Sequence, residues 1–97
     1  MVRTLSFNIP HTDEMIQAIG DETIVIAMEE FAELTQQASK LHRGKEDTDA
    51  LCEEIADALV GVSLLIEQSG ATEERIQEWI DFKCERTRGK IRNGEFK

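Results

Sequence analysis

Between Ile24 and Ile66 the apolar residues recur at three- and four-residue steps, the repeat that lines one face of a helix rather than one face of a strand. The first run reads Ile24, Ala27, Met28, Phe31, Leu34, Ala38 and Leu41. The second reads Leu51, Ile55, Ala58, Leu59, Val62, Leu65 and Ile66. A polar stretch beginning at Arg43, Gly44 and Lys45 separates them, and so short a connection makes consecutive helices antiparallel neighbours. Asp21 is placed to cap the first of these helices, and Asp47, Thr48 or Asp49 the second, because a short oxygen side chain can accept the free N–H groups of a first turn.

The flanks extend the same pattern. Leu5, Phe7 and Ile9 alternate ahead of Pro10, which predicts an extended arm over residues 1–10 with one apolar edge. Thr12 is placed to cap a short helix carrying Met15, Ile16 and Ile19, and Gly20 to close it. After Ser69-Gly70, Thr72 is placed to cap a last helix whose inner face reads Ile76, Trp79, Ile80, Lys83, Cys84 and Thr87. Aromatic residues are 5% of the chain and there is a single Pro, which suits an aliphatic helical core. The expected fold is therefore all-α: a four-helix bundle-like protomer with a short first helix and three long antiparallel ones, in one domain over residues 1–97. Val60 and Leu64 fall off the stripe of the third helix. The segment from Ala58 to Ile66 is then apolar nearly all round and needs cover on two sides. A second subunit is the expected cover, in a homodimer or homotetramer.

Charge excludes some partners. The formal net charge is -9, and no basic surface large enough to neutralise a run of phosphates is evident, so nucleic acid is not an expected partner. No segment approaches the ~20 apolar residues of a membrane span, and Met1 to Ser6 lacks an apolar signal core. A soluble, cytoplasmic protein is expected. Cys52 and Cys84 stand alone, without a CxxC or a nearby His, and read as reduced, packed thiols. His42 reads as a helix-end or surface residue.

Two acidic clusters remain. Glu29, Glu30 and Glu33 lie in one predicted helix, and Glu53, Glu54 and Asp57 in the next. Three-residue spacing puts Glu30 beside Glu33 and Glu54 beside Asp57. None of the six has a Lys or Arg three or four positions away. Glu29 with Glu33, and Glu53 with Asp57, are instead like-charge pairs, each costing roughly 0.2–0.5 kcal/mol in an isolated helix. Acids are 20 of the 97 residues, so either cluster alone reads as a solvated face. Two of them facing across a helical hairpin favour a metal site, for which a hard cation such as Mg2+ takes oxygen ligands. Lys83, Arg86, Arg88, Lys90 and Arg92 make a basic end to the acidic chain. That end reads equally as a phosphate clamp or as charges complementing the helix dipole and snorkelling to water.

Glu29-Glu30-x-x-Glu33 followed by Glu54-x-x-Asp57, with 20 residues between the two motifs, resembles the all-α nucleoside triphosphate pyrophosphohydrolases of the MazG-like family. The resemblance covers roughly residues 20–92 and includes Lys83-x-x-Arg86-x-Arg88 at its end. It implies that Glu30, Glu33, Glu54 and Asp57 bind Mg2+, with Mn2+ as a substitute, and that Glu29 and Glu53 support them. It implies cleavage of a nucleoside triphosphate to monophosphate and pyrophosphate, with Glu33 or Glu29 as base and Lys83 and Arg86 binding substrate. Gly61 stands where some relatives carry a Tyr or Asn that contacts the nucleotide, and the only Trp is Trp79, so base and sugar recognition does not carry over. Two rival readings stay open: a phosphoribosyl-ATP pyrophosphohydrolase, and a non-catalytic helical module for oligomerisation or partner binding.

Overall fold

The computed structural model describes residues 1–96. It is all-α, with α1 at Thr12–Ile19, α2 at Glu22–His42, α3 at Thr48–Glu67 and α4 at Glu73–Arg92. One short helix and three long ones follow an arm, residues 1–10, that joins no helix or strand. No helix of the described residues is long and apolar enough to cross a membrane.

Some of the expected caps form and others are replaced. Asp47 takes the cap of α3, its Oδ1 accepting from the N–H groups of Asp49 and Ala50 at 3.0 and 3.2 Å. Thr72 does the same for α4, accepting from Arg75 N–H at 3.1 Å. Asp21 already has helical backbone and makes no side-chain cap bond. Thr12 lies inside the first turn of α1, and its hydroxyl reaches across the fold to donate to Glu67 Oε1 at 2.5 Å. A second tie lies beside it. Buried Thr23 donates to Gly20 O at 2.9 Å and accepts from Gln68 Nε2 at 2.7 Å, so the α1–α2 turn is fastened to the end of α3. Gly20 can serve that turn because its φ of 72° suits a residue without a side chain.

The core is the antiparallel seam between α2 and α3, with α1 packed on both. Its centre is small: Ala27 and Ala58 are buried, and Gly61 is buried between them. A Cβ built on Gly61 would sit 3.1 Å from Ala27 Cβ and 3.3 Å from Phe31 Cε1. The two backbones therefore approach as closely as a missing side chain permits.

This contact turns α3 relative to the stripe read from sequence. Leu64, expected to point outward, is 4% exposed, while Ile55 and Val62, expected in the core, are 41% and 42% exposed. The cause is local. The face that carries Gly61 allows the closest approach, so it turns inward and takes Glu54, Asp57, Ala58 and Leu64 with it. On α2, Ala27 is buried and Ile24, Phe31 and Leu34 half-buried as expected, whereas Met28 and Leu41 are exposed. The expected inner face of α4 is uncovered in the protomer: no α4 residue is buried, and Trp79, Ile80 and Phe82 are all exposed.

Filling the Gly61 contact should force the helices apart. Overpacking of this kind costs about 1–3 kcal/mol, and in a domain of this size each kcal/mol lowers Tm by roughly 4–8 °C. Gly61→Val should therefore melt several degrees below wild type by circular dichroism. Gly89→Ala should not, since a Cβ there meets nothing within 4 Å.

Candidate metal centre

The antiparallel seam sets Glu30 of α2 opposite Asp57 of α3, and Glu33 opposite Glu54. One carboxylate oxygen from each of Glu30, Glu33, Glu54 and Asp57 falls within 4.8 Å of the others. These are the four residues the sequence motifs single out. Glu30, Glu54 and Asp57 are half-buried, and Glu33 is exposed at the rim. The seam thus holds three acids where helix pairs usually hold aliphatic side chains.

Their partners are missing. Glu30 Oε2 and Glu54 Oε2 are shielded from water and accept no hydrogen bond, and the same is true of Gln37 Oε1. A buried acceptor without a donor is costly, and more so when charged. Among the described residues the Lys and Arg ion pairs are Arg75 with Glu78 and Arg88 with Glu85, both on α4 and remote from the seam. Each acid therefore raises its neighbours. Burial pushes the Glu30 carboxyl from its ordinary 4.5 up to about 7, helped by Asp57 through a shared hydrogen bond and its charge, and then by the charges of Glu33 and Glu54. Glu54 is raised too, by burial first, then by Glu33, Asp57 and Glu53.

Two all-oxygen orphans inside a four-carboxylate ring suit a hard divalent cation, which takes oxygen ligands and supplies the positive charge that the ring lacks. Glu30, Glu33, Glu54 and Asp57 are the residues that would hold it. Glu29 and Glu53 are exposed and lie outside the four, although Glu53 is near enough to act on Glu54. Lys83 and Arg86 are not brought to the ring within the protomer, because α4 makes almost no contact with the other helices. The Arg86 guanidinium instead lies 5.8 Å from the Phe82 ring centroid, and Arg75 lies 5.1 Å from that of Trp79.

A recess beside the ring escaped the sequence reading. It has a volume of about 250 Å³ and is lined by Met15, Ile26, Val60 and Leu64 together with Glu30, Asp57, Ala27 and Gly61. Ile26 lines it and Gln37 does not. The sequence signal was the small pair Ala27 and Gly61, which lets α3 present Val60 and Leu64 inward.

No family model matches the chain, and neither a curated protein nor a solved structure matches it. Fold and site define an all-α, four-helix protein whose acidic cluster can hold a metal ion.

The raised acids make stability depend on pH with a definite sign. Folding lifts the Glu30 pKa from 4.5 to about 7, so the folded chain binds that proton more tightly than the unfolded chain. The resulting stabilisation is full below about pH 4.5 and is lost as pH rises through 7. In EDTA, Tm should therefore fall between pH 5 and pH 8, and Mg2+ should restore it most at the alkaline end. A metal-free Tm that rises over this interval would contradict the assignment.

Asp57→Asn removes one of the repelling charges and keeps the shape. Wild type should gain about 2.7 kcal/mol when free Mg2+ is a hundredfold above its dissociation constant. The variant should gain little, yet melt no lower than wild type in EDTA. If it melts well below wild type there, Asp57 serves the fold rather than a cation.

Proposed function

We propose that the protein is a Mg2+-dependent nucleoside triphosphate pyrophosphohydrolase, converting an NTP or dNTP and water to the monophosphate and pyrophosphate. The observation that carries this reading is the ring of four carboxylates from two facing helices, with two buried oxygens lacking donors and, among the described residues, no Lys or Arg paired with it. The order and spacing of the two acidic motifs, which resemble those of the MazG-like family, support the same reading.

Roles follow from position. Glu30, Glu33, Glu54 and Asp57 hold the cation, the first and the last two half-buried in the seam. When bound, Mg2+ neutralises phosphate charge and makes a coordinated water more acidic. Glu33 belongs to the ring but is exposed, so its carboxylate is the one with access to the attacking water and serves as base. Glu29, outside the ring, supports the local negative potential. The apolar recess beside Glu30 and Asp57 accepts the less polar end of the substrate, leaving the triphosphate over the carboxylates.

31P NMR of a panel of ribo-, deoxy- and modified triphosphates with Mg2+ tests the proposal. At least one should give monophosphate and pyrophosphate, and Glu33→Gln should slow that turnover by about 10²–10⁴-fold. Release of orthophosphate and a diphosphate, or no turnover across the panel, would refute it.

A further inference from the structure

Three side-chain oxygens among the described residues are shielded from water and lack a hydrogen-bond partner, and the carboxylate ring accounts for two of them. The third is Gln37 Oε1. Gln37 is half-buried on α2, four residues beyond Glu33 and seven beyond Glu30, a spacing that keeps all three on one face of the helix. Helical side chains tilt toward the N-terminus of their helix, so the amide leans back toward the carboxylates. The register of the seam explains why nothing in the fold answers it. Glu30 meets Asp57 and Glu33 meets Glu54, which carries the next antiparallel step to Ala50, a residue with no polar side chain. An unpaired amide there is costly, and a Leu would avoid the cost.

The order of groups along α2 gives the amide a use. Its inner strip reads Ile26, Glu30, Glu33, Gln37 and Lys40: a wall of the recess, two acids of the ring, an amide and a cation. Lys40 is the only Lys or Arg of α2, is exposed, and makes no ion pair among the described residues. From Glu33 to Lys40 the helix rises about 10 Å. Carboxylates repel phosphate oxygens wherever no cation lies between them, whereas an amide is neutral and carries both a donor and an acceptor. A phosphate accompanied by a hydrated cation answers both ends: its oxygen accepts from Nε2, and a water on the cation donates to Oε1.

We infer that Gln37 binds the two phosphates beyond the one attacked, the half of the substrate that leaves as pyrophosphate, and that Lys40 neutralises their far end. The direction rests on the proposed triphosphate chemistry, which puts the less polar end of the substrate in the recess. One hairpin then holds the substrate by two ends on either side of the carboxylates, the nucleoside beside Ile26 and the pyrophosphate beside Gln37.

Calorimetric titration with inorganic pyrophosphate in saturating Mn2+ tests the assignment without requiring turnover. Wild type should bind. Gln37→Leu should bind about tenfold more weakly or worse, the loss expected of one hydrogen bond to a charged group, with its affinity for Mn2+ alone unchanged and its Tm in EDTA no lower than that of wild type. Gln37→Glu keeps the shape but replaces the donor by a negative charge, so it should lose pyrophosphate while holding Mn2+ at least as tightly. Lys40→Ala should weaken pyrophosphate and leave Mn2+ untouched. Absence of Mn2+-dependent pyrophosphate binding by wild type overturns the inference, as does a Gln37→Leu variant that binds like wild type or loses Mn2+ as far as it loses pyrophosphate. The hydrolase reading fails separately: if no triphosphate is cleaved but pyrophosphate binding still depends on Gln37 and Lys40, the amide and the cation remain a phosphate-binding pair.

Discussion

The close approach of Gly61 to Ala27 is the constraint on which the rest depends. Two helices with ordinary aliphatic side chains at their crossing pack 8–10 Å apart. Removing the Cβ on one side and keeping only a methyl on the other lets the two backbones come closer at this point. Carboxylates one turn along the seam are thereby brought within ligand distance of each other. The same contact selects which face of α3 turns inward, and hence opens the recess between Val60, Leu64 and Met15. A larger residue at position 61 would not merely loosen a core; it would separate the halves of the site.

Close approach has an electrostatic cost, and its size explains how the fold is tied elsewhere. Raised acids at Glu30 and Glu54 work against the seam that contains them. The opposing ties lie at the far end of the hairpin, where Thr12 bonds Glu67 and Gln68 bonds Thr23. These bonds are part-buried and span 55 and 45 residues of sequence, so they fix the helices against sliding or splaying where the repulsion has least leverage. Asp47 at the other end fixes where α3 begins. A strained cluster held between fixed ends is a preorganised arrangement that can hold a cation: the folding of the hairpin has already gathered the carboxylates.

Element type and boundaries were legible in the sequence because they depend on local chemistry: the helical spacing of apolar residues, Asp47 and Thr72 as caps, Gly20 as a stop. The identity of the clustered acids was legible for the same reason, since spacing of three along each helix and a short turn leave little choice of partners. The rotation of α3 was not. Hydropathy places Ile55 and Val62 inside, but a residue with no side chain decides the closest contact, and hydropathy gives Gly61 no weight. Thr12 is placed by sequence as a local cap and Thr23 falls on no apolar stripe, yet their hydroxyls make long-range ties that no periodicity reveals. The inner face expected for α4 reflects an assumption that apolar residues are covered within their own chain.

That last departure links architecture to chemistry. A lone 20-residue helix is marginal in water, and most helical stability comes from packing an apolar face. Within the protomer α4 is sustained by contacts along its own length: the Thr72 cap, the Arg75–Glu78 and Arg88–Glu85 pairs, the Gln77–Asp81 hydrogen bond and the edge-on contact of Trp79 with Phe82. It also carries the largest group of basic residues in an acidic chain. The seam holds uncompensated negative charge and the least supported helix holds uncompensated positive charge, so whatever brings them together stabilises both.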